Sequence, residues 1–173
     1  MNNKYIFYPN MELDLDKVQE ICLRRKKDSI PGMATHHRRV EDEPYLMGIK
    51  EKYPFLSSLY NIYTTAAGYV TPVHICPNRS CALNIPISYT EDSHTVFYEI
   101  LEDKSTQYNK QRIYHVINTK GTEVFRYTLD RPVIMNTLLP HGVFGGPKQE
   151  RIIMSWSILF EYSYDQLRKM LGQ

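Results

Sequence analysis

The sequence predicts a mainly β protein, an antiparallel sandwich or double-stranded β-helix with a helix flanking each end. Three observations carry this. From residue 68 onward, apolar and β-branched runs follow one another, separated by turn residues. No long helical pattern interrupts them, which argues against βαβ units and a parallel sheet. Helical patterning is strongest near the two ends of the chain.

In chain order, Asp14 to Lys27 reads as a helix. Asp14 is placed to cap it, and Leu15, Val18, Ile21 and Cys22 form an apolar stripe. "SIPG" (residues 29–32) stops it. Residues 33–50 read as irregular, with "HHRR" (residues 36–39) as a basic loop patch. "YPFLSSLYNIY" begins as a short helix after Pro54 and ends as a strand. The runs "GYVTPVHI", "CALNIPIS", "HTVFYEIL", "RIYHVINT", "TEVFRYTL", "PVIMNTLL" and "ERIIMSWSILFEYS" then read as strands. "KGTE" (residues 120–123) and "FGGPKQE" (residues 144–150) read as hairpin loops. "SYDQLRKML" closes the chain as a helix capped by Ser163. All 173 residues are expected to form one domain, with the β core spanning about residues 55–162.

Composition narrows the function class. The chain is 42% hydrophobic and 23% charged, with a net charge of +2. That charge is too small to argue for nucleic acid. The dense run "LRRKKD" reads as the solvated cationic end of the first helix. The N-terminal stretch lacks the basic and apolar regions of a signal peptide, and no apolar run approaches the roughly 18 residues a membrane span needs. Three cysteines without framework spacing fit a reducing compartment, so a cytoplasmic location is expected.

Two histidines stand in unusual places. In "TPVHICPNRSCALNIPI", His74 and Cys76 lie two apart at the start of an apolar strand, on one face of an extended chain. His141 lies between "VIMNTLLP" and "GVFGG". Either could be an ordinary hydrogen-bonded core histidine. Arg151 follows His141 by ten residues with Gly145-Gly146-Pro147 midway. A hairpin there would set the two side chains about 5 Å apart on one face. An arginine opening a strand as apolar as "RIIMSWSILF" needs an anion, and its planar fork suits a carboxylate. A salt bridge to Glu150 or Glu161 would serve equally.

The ordered set resembles a family. A Pro-Val-His-x-Cys turn, a Leu-Asn-Ile-Pro-Ile strand, a Pro-His-Gly-Val segment and an arginine ten residues beyond that histidine are similar to the Fe(II)- and 2-oxoglutarate-dependent oxygenases. The resemblance covers about residues 55–162 and extends to small phage and marine-microbial members related to the aspartyl/asparaginyl β-hydroxylases. It implies a jelly-roll, cupin-like fold. It also implies an iron site using His74 and His141, with Arg151 holding the far carboxylate of 2-oxoglutarate. Asn84 and Tyr63 fall where relatives contact the cosubstrate. The implied partners are 2-oxoglutarate and a substrate, either a protein side chain or a small molecule. Cys76 departs from the pattern, since it stands where many members carry an acidic ligand. It can be a non-ligand pointing into the site (the preferred reading), a thiolate ligand, or a buried cysteine facing away. Two rival functions remain: a structural zinc site from His74, Cys76, Cys81 and His141, and a jelly roll that binds a small molecule or protein without catalysis.

Overall fold

The computed structural model describes residues 3–27, 35–76, 79–100, 106–109, 114–117 and 121–172. In chain order the elements are β1 (Ile6–Phe7), α1 (Leu15–Lys27), β2 (Thr35–Arg39), a single 3-10 turn (Val40–Asp42), α2 (Pro44–Lys52), β3 (Leu56–Thr65), β4 (His74–Ile75), β5 (Cys81–Ser88), β6 (His94–Ile100), β7 (Thr106–Asn109), β8 (Tyr114–Ile117), β9 (Gly121–Tyr127), β10 (Val133–Asn136), β11 (His141–Phe144), β12 (Arg151–Ile158) and α3 (Tyr164–Leu171). They build two antiparallel sheets, ordered β1-β10-β5-β12-β3-β2 and β7-β8-β4-β11-β6-β9. β3, β5, β10 and β12 lie in the first sheet; β4, β6, β9 and β11 lie in the second. The chain therefore crosses between sheets at most connections, which winds these eight strands into the expected double-stranded β-helix. Among the described residues, no helix is long and apolar enough to cross a membrane.

Strand alternation divides the core in two. Ile152, Met154, Trp156 and Ile158 of β12 pack with Val18 of α1, Leu46 of α2 and Leu167 of α3 in a helix-covered cluster. Ile153 instead joins Phe97, Tyr127 and Met135 between the sheets. Side chains two apart share a face, so Arg151, Ser155 and Ser157 turn inward with Ile153. The same parity turns Asn61 and Tyr63 of β3, and Asn84 of β5, toward the opposing sheet.

The end helices form for the local reasons read from sequence. Asp14 accepts a bond from the Lys17 N–H at 3.1 Å. Ser163 and Gln166 form a reciprocal capping box at the start of α3. Leu15 departs from the expected stripe, since it is exposed while Val18, Ile21 and Cys22 are buried. The basic end of α1 is more than a solvated terminus. Glu43 is buried and accepts from Arg24 at 2.8 Å and from Arg25, tying α1 to the start of α2. The "SIPG" stop lies outside the described residues.

Several expectations change. Residues 33–50 contain β2 and α2 rather than irregular chain. α2 has Pro44 in its first turn and buries Leu46 and Ile49, a signal interrupted by Gly48. "HHRR" lies in edge strand β2, paired to β3, and not in a loop. No short helix follows Pro54; β3 runs unbroken from Leu56. "KGTE" is no hairpin, because β8 and β9 pair with different partners. Neither is "FGGPKQE". β11 pairs with β4 and β6, whereas β12 pairs with β3 and β5, so His141 and Arg151 belong to opposite sheets. The Gly145 N–H bonds the Tyr69 carbonyl at 2.8 Å, and a Cβ on Gly145 would sit 2.6 Å from the Ala66 carbonyl. That close seat against the β3–β4 turn carries the chain across instead of back.

Trp156 is fully buried on the helix-covered face and donates to the Ser57 carbonyl at 2.8 Å. Trp156→Ala should cost about 3–5 kcal/mol of unfolding free energy. Leu138→Ala, at an exposed position, should stay within about 0.5 kcal/mol. Urea titration of both variants checks this, and equal midpoints would contradict the packing described.

Candidate metal centre

β4 is only two residues long and is held on both edges. His74 is the Cα partner of His141 in β11 on one side and of Val116 in β8 on the other. Thr71 clamps the approach: its N–H bonds the Val143 carbonyl at 2.8 Å, and the Val143 N–H bonds its hydroxyl at 2.6 Å. The two imidazoles thus meet with ring centroids 4.4 Å apart. Each donates its Nδ1–H to the carbonyl two residues earlier, His74 to Pro72 at 2.8 Å and His141 to Leu139 at 2.7 Å. This pattern leaves the lone pair on Nε2, the tautomer a metal needs.

Cys76 completes a cluster. Its N–H bonds the Thr137 carbonyl at 2.9 Å, and its sulfur and the two imidazoles offer donor atoms all within 4.8 Å of one another. The reading in which Cys76 faces away therefore does not hold. Burial raises its thiol pKa, but His141, His74 and the Arg79 guanidinium outweigh burial and bring it down to about 4. Burial, and then the His74 charge, lower the pKa of His141. Both shifts favour the thiolate and the neutral imidazole, which are the metal-binding forms. Cys81 does not join. It packs with Leu83 and Ile85 in the helix-covered cluster, on the other face of the first sheet.

Arg151 enters the same interior from the facing sheet. It is 3% exposed, and its Nε has no hydrogen-bond partner. Burial lowers its pKa, opposed by Tyr127. Neither acid considered from sequence serves it: Glu150 pairs with Lys26, and Glu161 is exposed. A line of rings leads from the cluster toward it, with Phe97 5.8 Å from His141 and 6.4 Å from Tyr127. Asn84 is buried beside this path. Its amide nitrogen reaches the Met135 sulfur at 3.8 Å and also meets the Tyr127 hydroxyl, and its oxygen is unpaired. Tyr63 lines the interior, packed against the Ile153 cluster. A soft three-donor cluster and an unpaired guanidinium in one interior suit a metal together with a ligand carboxylate.

Sequence reasoning missed one residue here. Arg79 is 9% exposed and directs its Nη1 to Ser155 at 3.2 Å and Ser157 at 3.4 Å, and its Nη2 to the Cys76 sulfur at 3.9 Å. An arginine two residues before "CALNIPI" carries the same warning as Arg151 before "IIMSWSI". Thr137 holds this turn, donating its hydroxyl to the Arg79 carbonyl at 2.8 Å.

No protein-family model matches the chain, and no curated protein sequence matches it. Solved structures match in fold. The epimerase SnoN, in complex with Fe3+, alpha ketoglutarate and nogalamycin RO, is 11% identical with a TM-score of 0.55 over 87% of this chain and 76% of its own. A prolyl-4-hydroxylase from Pseudomonas putida is 8% identical with a TM-score of 0.50 over 90% of this chain and 93% of its own. A vicilin from hazelnut, Corylus avellana, matches at 8% identity and a TM-score of 0.41 over 73% of this chain, which spans 30% of the vicilin's length. At these identities the likeness is one of fold.

The pKa ordering has a direct readout. Cys22 and Cys81 are pushed up to about 12 and about 11 by burial, while Cys76 is brought down to about 4. At pH 6 only Cys76 is a thiolate, and the thiolate is the nucleophile. Iodoacetamide should therefore modify Cys76 first, with Zn(II) protecting it. Peptide mass spectrometry showing equal labelling of the three cysteines would contradict the cluster's electrostatics.

Proposed function

We propose that the protein is an Fe(II)- and 2-oxoglutarate-dependent oxygenase, related to the aspartyl/asparaginyl β-hydroxylase branch, that hydroxylates a substrate C–H bond. One observation carries this reading: His74 and His141 paired beside the Cys76 sulfur, with the unpaired, buried Arg151 nitrogen in the same interior. The fold shared with SnoN and the prolyl-4-hydroxylase agrees with it.

His74 and His141 would hold iron through Nε2, and Cys76, preferred from sequence as a non-ligand, would instead serve as third donor in place of an acid, because its sulfur lies within 4.8 Å of both imidazole donors. Arg151 would take the far carboxylate of 2-oxoglutarate, with Asn84 and Tyr63 at its sides. Iron and 2-oxoglutarate supply oxidation of a C–H bond by dioxygen when bound. The chain's own residues bind, orient and exclude water: Phe97, Tyr127 and Ile153 form the apolar wall between the two polar ends. The substrate class at this level is a protein side chain or a small molecule. The sulfur at the acidic position favours one second reading, a jelly roll that binds a softer metal such as zinc and a small molecule or protein without catalysis.

Anaerobic titration with Fe(II) and 2-oxoglutarate should develop the weak visible charge-transfer band of the chelate. Tight zinc binding unaffected by 2-oxoglutarate, with no such band, would favour the second reading. Arg151→Lys should weaken 2-oxoglutarate binding more than metal binding, because it disturbs a fork and leaves the imidazoles alone. Cys76→Ala should lower metal affinity at least about tenfold. Unchanged affinity in a folded Cys76→Ala protein would remove the sulfur from the ligand set.

A further inference from the structure

Among the described residues, the space between the sheets holds two buried guanidinium groups and no buried carboxylate. Among the described residues Glu43 is the one buried acid, and it is committed to Arg24 and Arg25 beside the helices. Under the reading above, the far carboxylate of 2-oxoglutarate answers Arg151. Arg79 has no carboxylate partner and is held by Tyr63, Ser155, Ser157 and the Cys76 sulfur. Its hydroxyl partners lie at 3.2 and 3.4 Å and its sulfur partner at 3.9 Å. These are long beside the roughly 2.7–2.9 Å of a guanidinium on a carboxylate. A Cys76 sulfur that gives its electron pair to a metal has less charge left to offset that cation. A buried cation without a full counter-charge is costly.

Two buried acceptors near Arg79 also have no partner. Ser155, which takes its Nη1, has Asn61 directly opposite on β3 and Asn84 directly opposite on β5. The amide oxygens of both asparagines are buried and unpaired. A guanidinium thus lies over the middle of a row whose two flanks are vacant acceptors. Ser155 and Arg151 are separated by four residues along β12, about 13 Å of strand. That distance puts the two cations at different ends of the interior.

Resting on the oxygenase reading, we propose that Arg79 is the receptor for a substrate carboxylate, and that the substrate is a small acid with an N–H or O–H donor close to that carboxylate, as in an α-amino or α-hydroxy acid. The carboxylate seats on the Arg79 fork, and the donor bonds the Asn61 oxygen. Because Arg79 reaches the Cys76 sulfur, a carboxylate held there brings the acid's neighbouring carbons toward the metal cluster. Arg79 is then a specificity-determining residue, distinct in function from Arg151.

The test is calorimetric titration of the Mn(II)- and 2-oxoglutarate-loaded protein with a panel of L-α-amino acids and α-hydroxy acids, each beside its own primary amide. At least one acid should bind, with its amide at least about thirtyfold weaker, because the amide leaves the buried cation unanswered. Arg79→Met should abolish that preference and Arg79→Lys retain part of it, both losing less 2-oxoglutarate affinity than Arg151→Met. Arg151→Met should show the reverse pattern. The proposal is overturned if no acid outbinds its amide on wild type, or if folded Arg79→Met keeps the preference. It is also overturned if Arg79→Met loses 2-oxoglutarate as Arg151→Met does, which would place Arg79 in the cosubstrate site. Should Arg79→Met not fold, Arg79→Lys decides by the same comparisons. Failure of the oxygenase reading shows separately, as wild type that takes up no 2-oxoglutarate. The acid-against-amide comparison in Mn(II) protein alone then still decides the role of Arg79.

Discussion

Two residues of strand, His74 and Ile75, are pinned between β11 and β8, and the His74–Cys76–His141 cluster depends on that register. A slip of one residue would turn His74 away from His141 and put Ile75 in its place. Such a short strand cannot hold its own register by ladder bonds alone. Thr71 on Val143 and the Thr137 clamp on Cys76 and Arg79 supply the rest from either side. Each imidazole is then aimed by a carbonyl two residues upstream in its own chain, so the backbone that sets the register also sets the tautomer.

The second constraint is the division of the first sheet by strand parity. Its outer face packs under α1, α2 and α3 with Trp156, Leu83 and Ile62. Its inner face carries Asn61, Asn84, Ser155, Ser157 and Arg151. Stability is concentrated on the outer face, which lets the inner face hold groups that a packed core would exclude. Among the described residues the unpaired buried atoms fall on both faces: the Arg151 Nε and the Asn61 and Asn84 oxygens on the inner one, and the Tyr60, Thr64 and Ser88 hydroxyls on the outer one. Each would cost roughly 1–3 kcal/mol if nothing met it.

Much of this was legible locally. The caps at Asp14 and Ser163 were, because a cap is a contact across three residues. So was the succession of short strands after residue 68, since alternating burial leaves a direct trace in residue order. β2 was not, because "THHRR" has no apolar pattern and becomes a strand only by pairing with β3. α2 was missed because nine residues with a central glycine give too little periodicity. The His141–Arg151 hairpin failed for a topological reason. A glycine-rich loop between two strands reads the same whether the chain returns beside itself or crosses to the opposite sheet, and the seat of Gly145 against Ala66 decides.

What the sequence determined by itself was the mainly β class, the flanking helices and the residue types that chemistry would need: two histidines in apolar strands, a sulfur in step with one of them, and an arginine where a cation should not be. Only the tertiary structure decided which of these meet. It set His74 against His141, turned Cys76 toward them and Cys81 away, moved Arg151 to the facing sheet, and brought Arg79 to the sulfur. The reason is that residue identity and parity are written along one strand, whereas a site between two sheets is assembled from strands whose order no local pattern records.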